Sequence, residues 1–347
     1  MLCLAALDSF IPPDHPLRRL KPLVDEVLRR LSPDFDAMYA ERGRPSVPPE
    51  RLLKAEILIA LYSVRSETLF CEQLRYNLLF RWFVDMDLQD EPFDRSTFSK
   101  NRQRLLDADI AKRFLEEVVT MAEDGGFLSS EHFSVDGSMI EAWASIKSFR
   151  PKDDDEGDNN GFPDFRGQKR RNQTHESKTD PDAKLKRKGR GKEAKLCYEA
   201  HLLMENRHGL VTDFELTEAS GTAERDAASE MLRRRRKKKR ATVAADKAYD
   251  TKDFVRRCRE EGVTPHVAQN ANAHRRSAID GRTTRHPGYG VSLTSRLLIE
   301  KIFGWMKTIG GFRRTRFRGR RKTAAAGAMV VATYNILRIS NLTVAAA

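Results

Sequence analysis

Near residue 131 the apolar residues of this chain change their spacing, which divides it into two architecturally different parts. Upstream, Leu52, Leu53, Ile57, Leu58, Leu61 and Tyr62 recur with a period near 3.6, and Leu69, Leu74, Leu78, Leu79 and Phe83 continue the series. Pro48 and Pro49 stand where such a helix can begin, since a first-turn proline forfeits no hydrogen bond. Residues 1–125 are therefore predicted to be all helical. Downstream, Phe133 and Val135 alternate with polar neighbours and lead into Met139–Trp143, a strand that contains Asp136. Leu196 to Met204 and Leu210 to Leu216 alternate on either side of Asn206-Arg-His-Gly209, which reads as a hairpin. A helix from Thr222, a short strand Thr242–Asp246, a helix Thr251–Glu261, a strand Thr264–Val267 and a helix Ser292–Ile309 follow. Three antiparallel strands, then helix, strand, helix, strand, helix is the order of a ribonuclease-H-like α/β fold with a mixed sheet flanked by helices. Residues 126–347 are assigned to it. Between about 147 and 193 the pattern is lost to acidic and then basic runs, predicting a flexible charged insertion.

The charge balance narrows the partners. A formal net charge of +13, with 33% charged residues, calls for a polyanion, usually nucleic acid. The segment from Asp94 to Leu105 is a basic helix after two apolar ones, the arrangement a helix-turn-helix needs to enter a groove. Arg95, Lys100, Arg102 and Arg104 are its candidate DNA contacts; a solvated basic helix is the plainer alternative. Four scattered cysteines form no CxxC pair, which speaks against a zinc finger or a disulfide framework and fits a reducing compartment. The longest apolar stretch, Ala324 to Ala332, is well short of the roughly 20 residues that span a bilayer. A soluble, cytoplasmic protein is expected.

Three carboxylates stand in contexts that invite chemistry. Asp136 lies inside an apolar strand, where an uncompensated charge is costly, so a metal ion or a buried basic partner must answer it. Asp246 ends the strand Thr-Val-Ala-Ala-Asp, and ligand sites collect at strand C-termini in α/β sheets. At about 100° per residue, Arg296, Glu300, Phe303 and Lys307 fall on one helical stripe, and Leu298, Ile302, Trp305 and Ile309 on the opposite one. A salt-bridged surface helix would carry the same pattern. The basic run Arg233–Arg240 and the cluster Arg313–Lys322, led by Arg313 and Arg314, could each track a DNA backbone; the second is favoured because it directly follows the Glu300 helix. Trp305 reads as core, and His175 and Asp180 in the insertion are assigned no chemistry.

Several of these segments resemble the DDE transposases of bacterial insertion sequences, in the group named after insertion sequence five. The likeness runs through Phe10-Ile-Pro-Pro-Asp-His-Pro-Leu-Arg18, Gly43 to Leu53, Phe133-Ser-Val-Asp-Gly137, Thr179-Asp-Pro-Asp-Ala-Lys184, Ala245-Asp-Lys-Ala-Tyr-Asp250 and Arg296 to Lys307. The family reads Tyr-x2-Arg-x3-Glu-x6-Lys in the last of these. Arg296, Glu300 and Lys307 match it, and Leu293 stands where the tyrosine is expected. The resemblance implies that Asp136, Asp246 and Glu300 are a metal-binding catalytic triad for two Mg²⁺ ions, with Mn²⁺ able to substitute. It implies that Arg296 and Lys307 face the phosphates or bases of a transposon end. It also implies cleavage at inverted repeats, joining of the freed 3′-hydroxyls to target DNA, and a homodimer in the active complex. A catalytically decayed DNA-binding regulator and a nuclease of the same fold are the alternatives.

Overall fold

The computed structural model describes residues 6–38, 47–107, 109–152, 170–189, 191–235, 240–271 and 276–346. They form two compact units: residues 1–128, 304–311 and 328–347 in one, and 129–303 with 312–327 in the other.

In the first unit the described elements up to residue 128 are all helical. They are α1 (Pro16–Arg30), α2 (Ser32–Met38), α3 (Pro49–Leu61), α4 (Glu67–Gln73), α5 (Leu78–Phe83), α6 (Arg95–Asp107) and α7 (Ile110–Asp124), after a short 3₁₀ turn at Leu7–Phe10. Local chemistry sets the boundaries. Pro49 opens α3, while the side chains of Ser66 and Asn77 accept the Leu69 and Phe80 N–H groups that α4 and α5 leave free. Asp94 does the same for α6, accepting from Thr97 N at 2.9 Å. Phe70, Phe80 and Phe98 are fully buried and pack ring on ring. Aromatic side chains of this size supply much of the burial that holds short helices together.

The second unit is a mixed sheet flanked by helices. Its strands are β1 (His132–Glu141), β2 (Phe149–Pro151), β3 (His175–Ser177), β4 (Lys184–Arg187), β5 (Ala194–Glu205), β6 (Leu210–Glu218), β7 (Ala241–Ala245) and β8 (Val263–Val267). Strands β1, β5 and β6 are antiparallel neighbours, and β7 and β8 continue the sheet parallel to β1 on its other side. Its helices are α8 (Ala223–Arg234), α9 (Lys252–Glu260), α10 (Gly281–Thr284) and α11 (Pro287–Ser295); α12 (Leu297–Thr308) and α13 (Arg320–Ala346) begin in this unit, and their residues from 304 and from 328 belong to the first. Phe133, Val135, Val243 and Ala245 point to one sheet face and form a dry core with Ala228, Met231 and Leu232 of α8 and Phe254 and Cys258 of α9. Side chains alternate along a strand, so Ser134, Asp136, Ala244 and Asp246 belong to the other face. His266, level with Ala244, shares that face and meets Ser292 of α11.

Some expectations are corrected. The helix expected over Ser292–Ile309 is two, α11 and α12, meeting at Arg296. Its buried stripe is Ile299, Ile302, Phe303 and Met306, whereas Leu298 and Trp305 are half-buried and Ile309 is exposed. Thr251 caps α9, and the buried Asp250 carboxylate accepts from Asn270 N and Ala278 N. Within 147–193, residues 153–169 and 190 lie outside the described residues, but the flanks are ordered by specific contacts: β2 pairs with β3, and β4 extends the main sheet beside β5. Asp180 there is 1% exposed and accepts from the Tyr198 hydroxyl at 2.6 Å and Gly319 N at 3.1 Å. Asp182 accepts from Arg320 N, so this segment caps the start of α13. Among the described residues no helix is long and apolar enough to cross a membrane.

Candidate active site

The separation of 110 residues between Asp136 and Asp246 is a strand register. Strands β1 and β7 pair in parallel as His132↔Thr242, Phe133↔Val243 and Ser134↔Ala244, an offset of 110 throughout. Carried two residues on, the same offset sets Asp136 level with Asp246, on one face of adjacent strands that lie roughly 4.8 Å apart. Asp246 stands just past the end of β7 and accepts Ala248 N at 2.8 Å, capping a 3₁₀ turn. Asp136 accepts the N–H of Gly137, and its side chain is 19% exposed. Burial pushes its carboxyl up to about 6, with the neighbouring charge of Asp246 adding to the shift and the Gly137 N–H opposing it.

The third carboxylate comes through an arginine. Arg296, 16% exposed, places one guanidinium nitrogen 3.6 Å from Asp136 and another 3.6 Å from Glu300. It is the basic partner that the buried aspartate requires. Glu300, on the first turn of α12, is 60% exposed, so its carboxylate remains open to solvent and ligands. Measured from Ile299 at 100° per residue, Arg296, Glu300 and Lys307 lie roughly 60–100° around the helix. They line the border of the buried stripe rather than the side opposite it. Lys307 follows Glu300 by two turns and is half-buried.

Hard carboxylate oxygens suit a divalent cation such as Mg²⁺. Asp136, Asp246 and Glu300 carry oxygen donors of the kind such an ion takes, and the Arg296 guanidinium lies between Asp136 and Glu300. Among the described residues, no three acidic, His or Cys side chains stand close enough to hold an ion together as they are.

The basic candidates divide. Arg95, Lys100 and Arg104 are exposed on α6, but Arg102 pairs with Glu67, stands 3.7 Å from Glu56 and lies over the Phe98 ring. Arg313 is exposed. Arg314 donates to the carbonyls of Ala142 and Trp143 and stacks on the Trp143 ring, tying residues 313–315 to the end of β1. In the run from 233, Arg233 pairs with Glu230 and Arg234 with Asp213 and Glu215, while residues 236–239 lie outside the described residues. Tyr289 donates its hydroxyl to the Val267 carbonyl, a structural role. Sequence reasoning passed over Glu224, in the first turn of α8, whose charge also bears on Asp136. An acidic residue at a helix start is too common to signal more than the helix.

Sheet topology and site define a mixed α/β protein with acidic residues just beyond the point where the parallel pairing of β1 and β7 ends. Residues 164–336 match the family model described as a transposase DDE domain, and residues 5–104 match a second, the transposase domain (DUF772). Together the two models span most of the chain, which belongs to the DDE transposases. Among solved structures, a piggyBac transposase synaptic complex with hairpin DNA is similar at 10% identity and a TM-score of 0.46, covering 95% of this chain and 76% of that one. A Mos1 transposase paired-end complex with left transposon end is similar at 15% identity and a TM-score of 0.20, covering 69% and 64%. No curated protein matches the sequence.

Proposed function

We propose that this chain is an insertion-sequence transposase, of the group named after insertion sequence five, that cuts the ends of its element and joins them to target DNA. The observation that carries the reading is the β1–β7 register, whose offset of 110 leads on to Asp136 and Asp246, together with the Arg296 guanidinium 3.6 Å from both Asp136 and Glu300. In this reading residues 126–347 are a ribonuclease-H-like catalytic domain, and residues 1–125 bind the terminal inverted repeats. Asp136, Asp246 and Glu300 would hold two Mg²⁺ ions, which supply an oxygen nucleophile at neutral pH and stabilise charge on the leaving oxygen. Arg296 is a cation with donors only, so it pairs with acceptors, here two carboxylates. A DNA phosphate entering the site takes the place of one carboxylate partner and is oriented by the planar fork. Lys307 and Arg313 would each contact a DNA phosphate, as would Arg95, Lys100 and Arg104 on α6, while Arg314 holds residues 313–315 to the end of β1. Arg102 contributes by holding α6 to Glu67. Pairing two ends calls for two copies of the chain.

The test uses purified full-length protein and duplexes carrying the inverted repeats that flank its gene. Wild type should cut and join them in Mg²⁺ or Mn²⁺, and Asp246→Ala should bind the ends but do neither. Cutting by Asp246→Ala would remove the triad assignment. Cutting without joined products in wild type would make the protein a nuclease of the same fold, and end binding without cutting a DNA-binding regulator.

A further inference from the structure

The space over Gly137 holds a carboxylate that the triad leaves unused. Gly137 follows Asp136 on β1, so a side chain there would project to the opposite face, the one α8 covers. Glu224 of α8 fills that place. A Cβ on Gly137 would stand 2.8 Å from the Glu224 Cγ and 3.3 Å from its carboxyl carbon. Only a residue without a side chain admits it so close to the strand.

A second polar group is aimed at the same point. His201 sits opposite Gly137 on β5 and is 1% exposed. Its Nδ1 lies 3.1 Å from the same Cβ position and has no hydrogen-bond partner, while Nε2 meets Thr217 Oγ1 at 2.8 Å. The Tyr249 hydroxyl, three residues after Asp246, is also buried without a partner. Buried polar atoms left unpaired cost stability, and both of these border the acidic centre. The ladder between β1 and β7 ends at Ser134↔Ala244, so side chains from the two faces can approach each other around the edge of β1 at Asp136 and Gly137. Lys186, paired with the buried Glu199, stands 3.9 Å from Glu224 and supplies a counter-charge on its outer side.

Resting on the reading of Asp136 and Asp246 as cation ligands, we propose that Glu224 is a fourth carboxylate of that centre, drawn across Gly137 to a divalent cation beside Asp136 with His201 Nδ1 behind it. Carboxylate oxygens with one imidazole nitrogen suit Mn²⁺ as well as Mg²⁺. The experiment is a Mn²⁺ titration of the full chain without DNA, read by electron paramagnetic resonance and by calorimetry. Wild type, Asp246→Asn, Glu224→Gln and Glu224→Asp are compared, with thermal melts in chelator as the check on folding. Glu224→Gln should weaken Mn²⁺ binding about tenfold or more, the scale seen when a group supporting a metal site is removed. Glu224→Asp, which keeps the charge on a shorter arm, should fall between Glu224→Gln and wild type. If Asp246→Asn loses the ion and Glu224→Gln binds it like wild type, Glu224 has no place in the centre and the triad stands. If wild type binds no Mn²⁺, both readings fall together.

Discussion

Consider Asp136→Asn in the absence of divalent cations. The Asp136 carboxyl is raised from 3.8 to about 6, by burial first and then by the charge of Asp246, with Arg296 3.6 Å away only partly offsetting these. An acid held above its unfolded value favours the native state most when protonated. That contribution is complete below about pH 3.8 and is lost as pH rises through 6. The difference corresponds to about 3 kcal/mol at pH 8, at 1.36 kcal/mol for each tenfold step. Asparagine keeps the shape and carries no charge, so the variant should be the more stable protein at pH 8, by up to about 3 kcal/mol. For a unit of this size that is a rise of up to roughly 10 °C, less whatever Arg296 loses with its partner. Melts in chelator from pH 4 to 8 would show the gap opening as pH rises. Mg²⁺ should then raise the melting temperature of wild type and leave the variant unmoved. A variant that melts at or below wild type at pH 8, or a gap of equal size at pH 4, would refute the argument that this carboxylate is held against a desolvation cost.

Ile302→Ala should cost about 2–5 kcal/mol, because Ile302 is at the centre of the buried stripe of α12 and leaves a cavity. Arg296→Gln should lose DNA cleavage and destabilise only as pH rises and Asp136 ionises without its partner, so melts at low pH and cleavage rates of the pair separate the two sides of the helix. On α6, Arg95→Ala and Lys100→Ala should weaken DNA binding and lower the log–log salt slope by about 0.9 for each phosphate no longer neutralised. Arg102→Ala should instead lower the melting temperature by breaking its pairs with Glu67 and Glu56; a full-sized drop in salt slope with an unchanged melt would show that Arg102 faces DNA.

The candidate carboxylates were legible for different reasons. Asp136 and Asp246 stood out because each interrupts or ends a short apolar run, a local signal. Glu300 was found on a stripe with Arg296 and Lys307, yet its apolar partners were misjudged. Helix α12 has apolar side chains at 297, 298, 299, 302, 303, 305 and 306, so more than one stripe can be drawn through it. Hydrophobicity alone does not say which one meets the core. Arg102 and Arg314 were indistinguishable from their basic neighbours because charge is a property of residue type, while pairing with Glu67 or the Trp143 carbonyl is a property of place. Asp180 was lost in a stretch whose composition suggests disorder, since its partners Tyr198 and Gly319 lie 18 and 139 residues away.

What the sequence determined by itself is what short-range physics controls. The period of apolar residues separated helices from strands, prolines and capping side chains marked many helix starts, and the order of elements specified which strands could be neighbours. Tertiary structure decided everything that depends on register and on the side of a helix. A parallel pair joins residues 110 apart with no local trace of the offset, so only the folded sheet brings Asp136 level with Asp246. Only the β1–β5 register and the packed α8 put His201 and Glu224 over Gly137, because the room for them is made by a side chain that is not there.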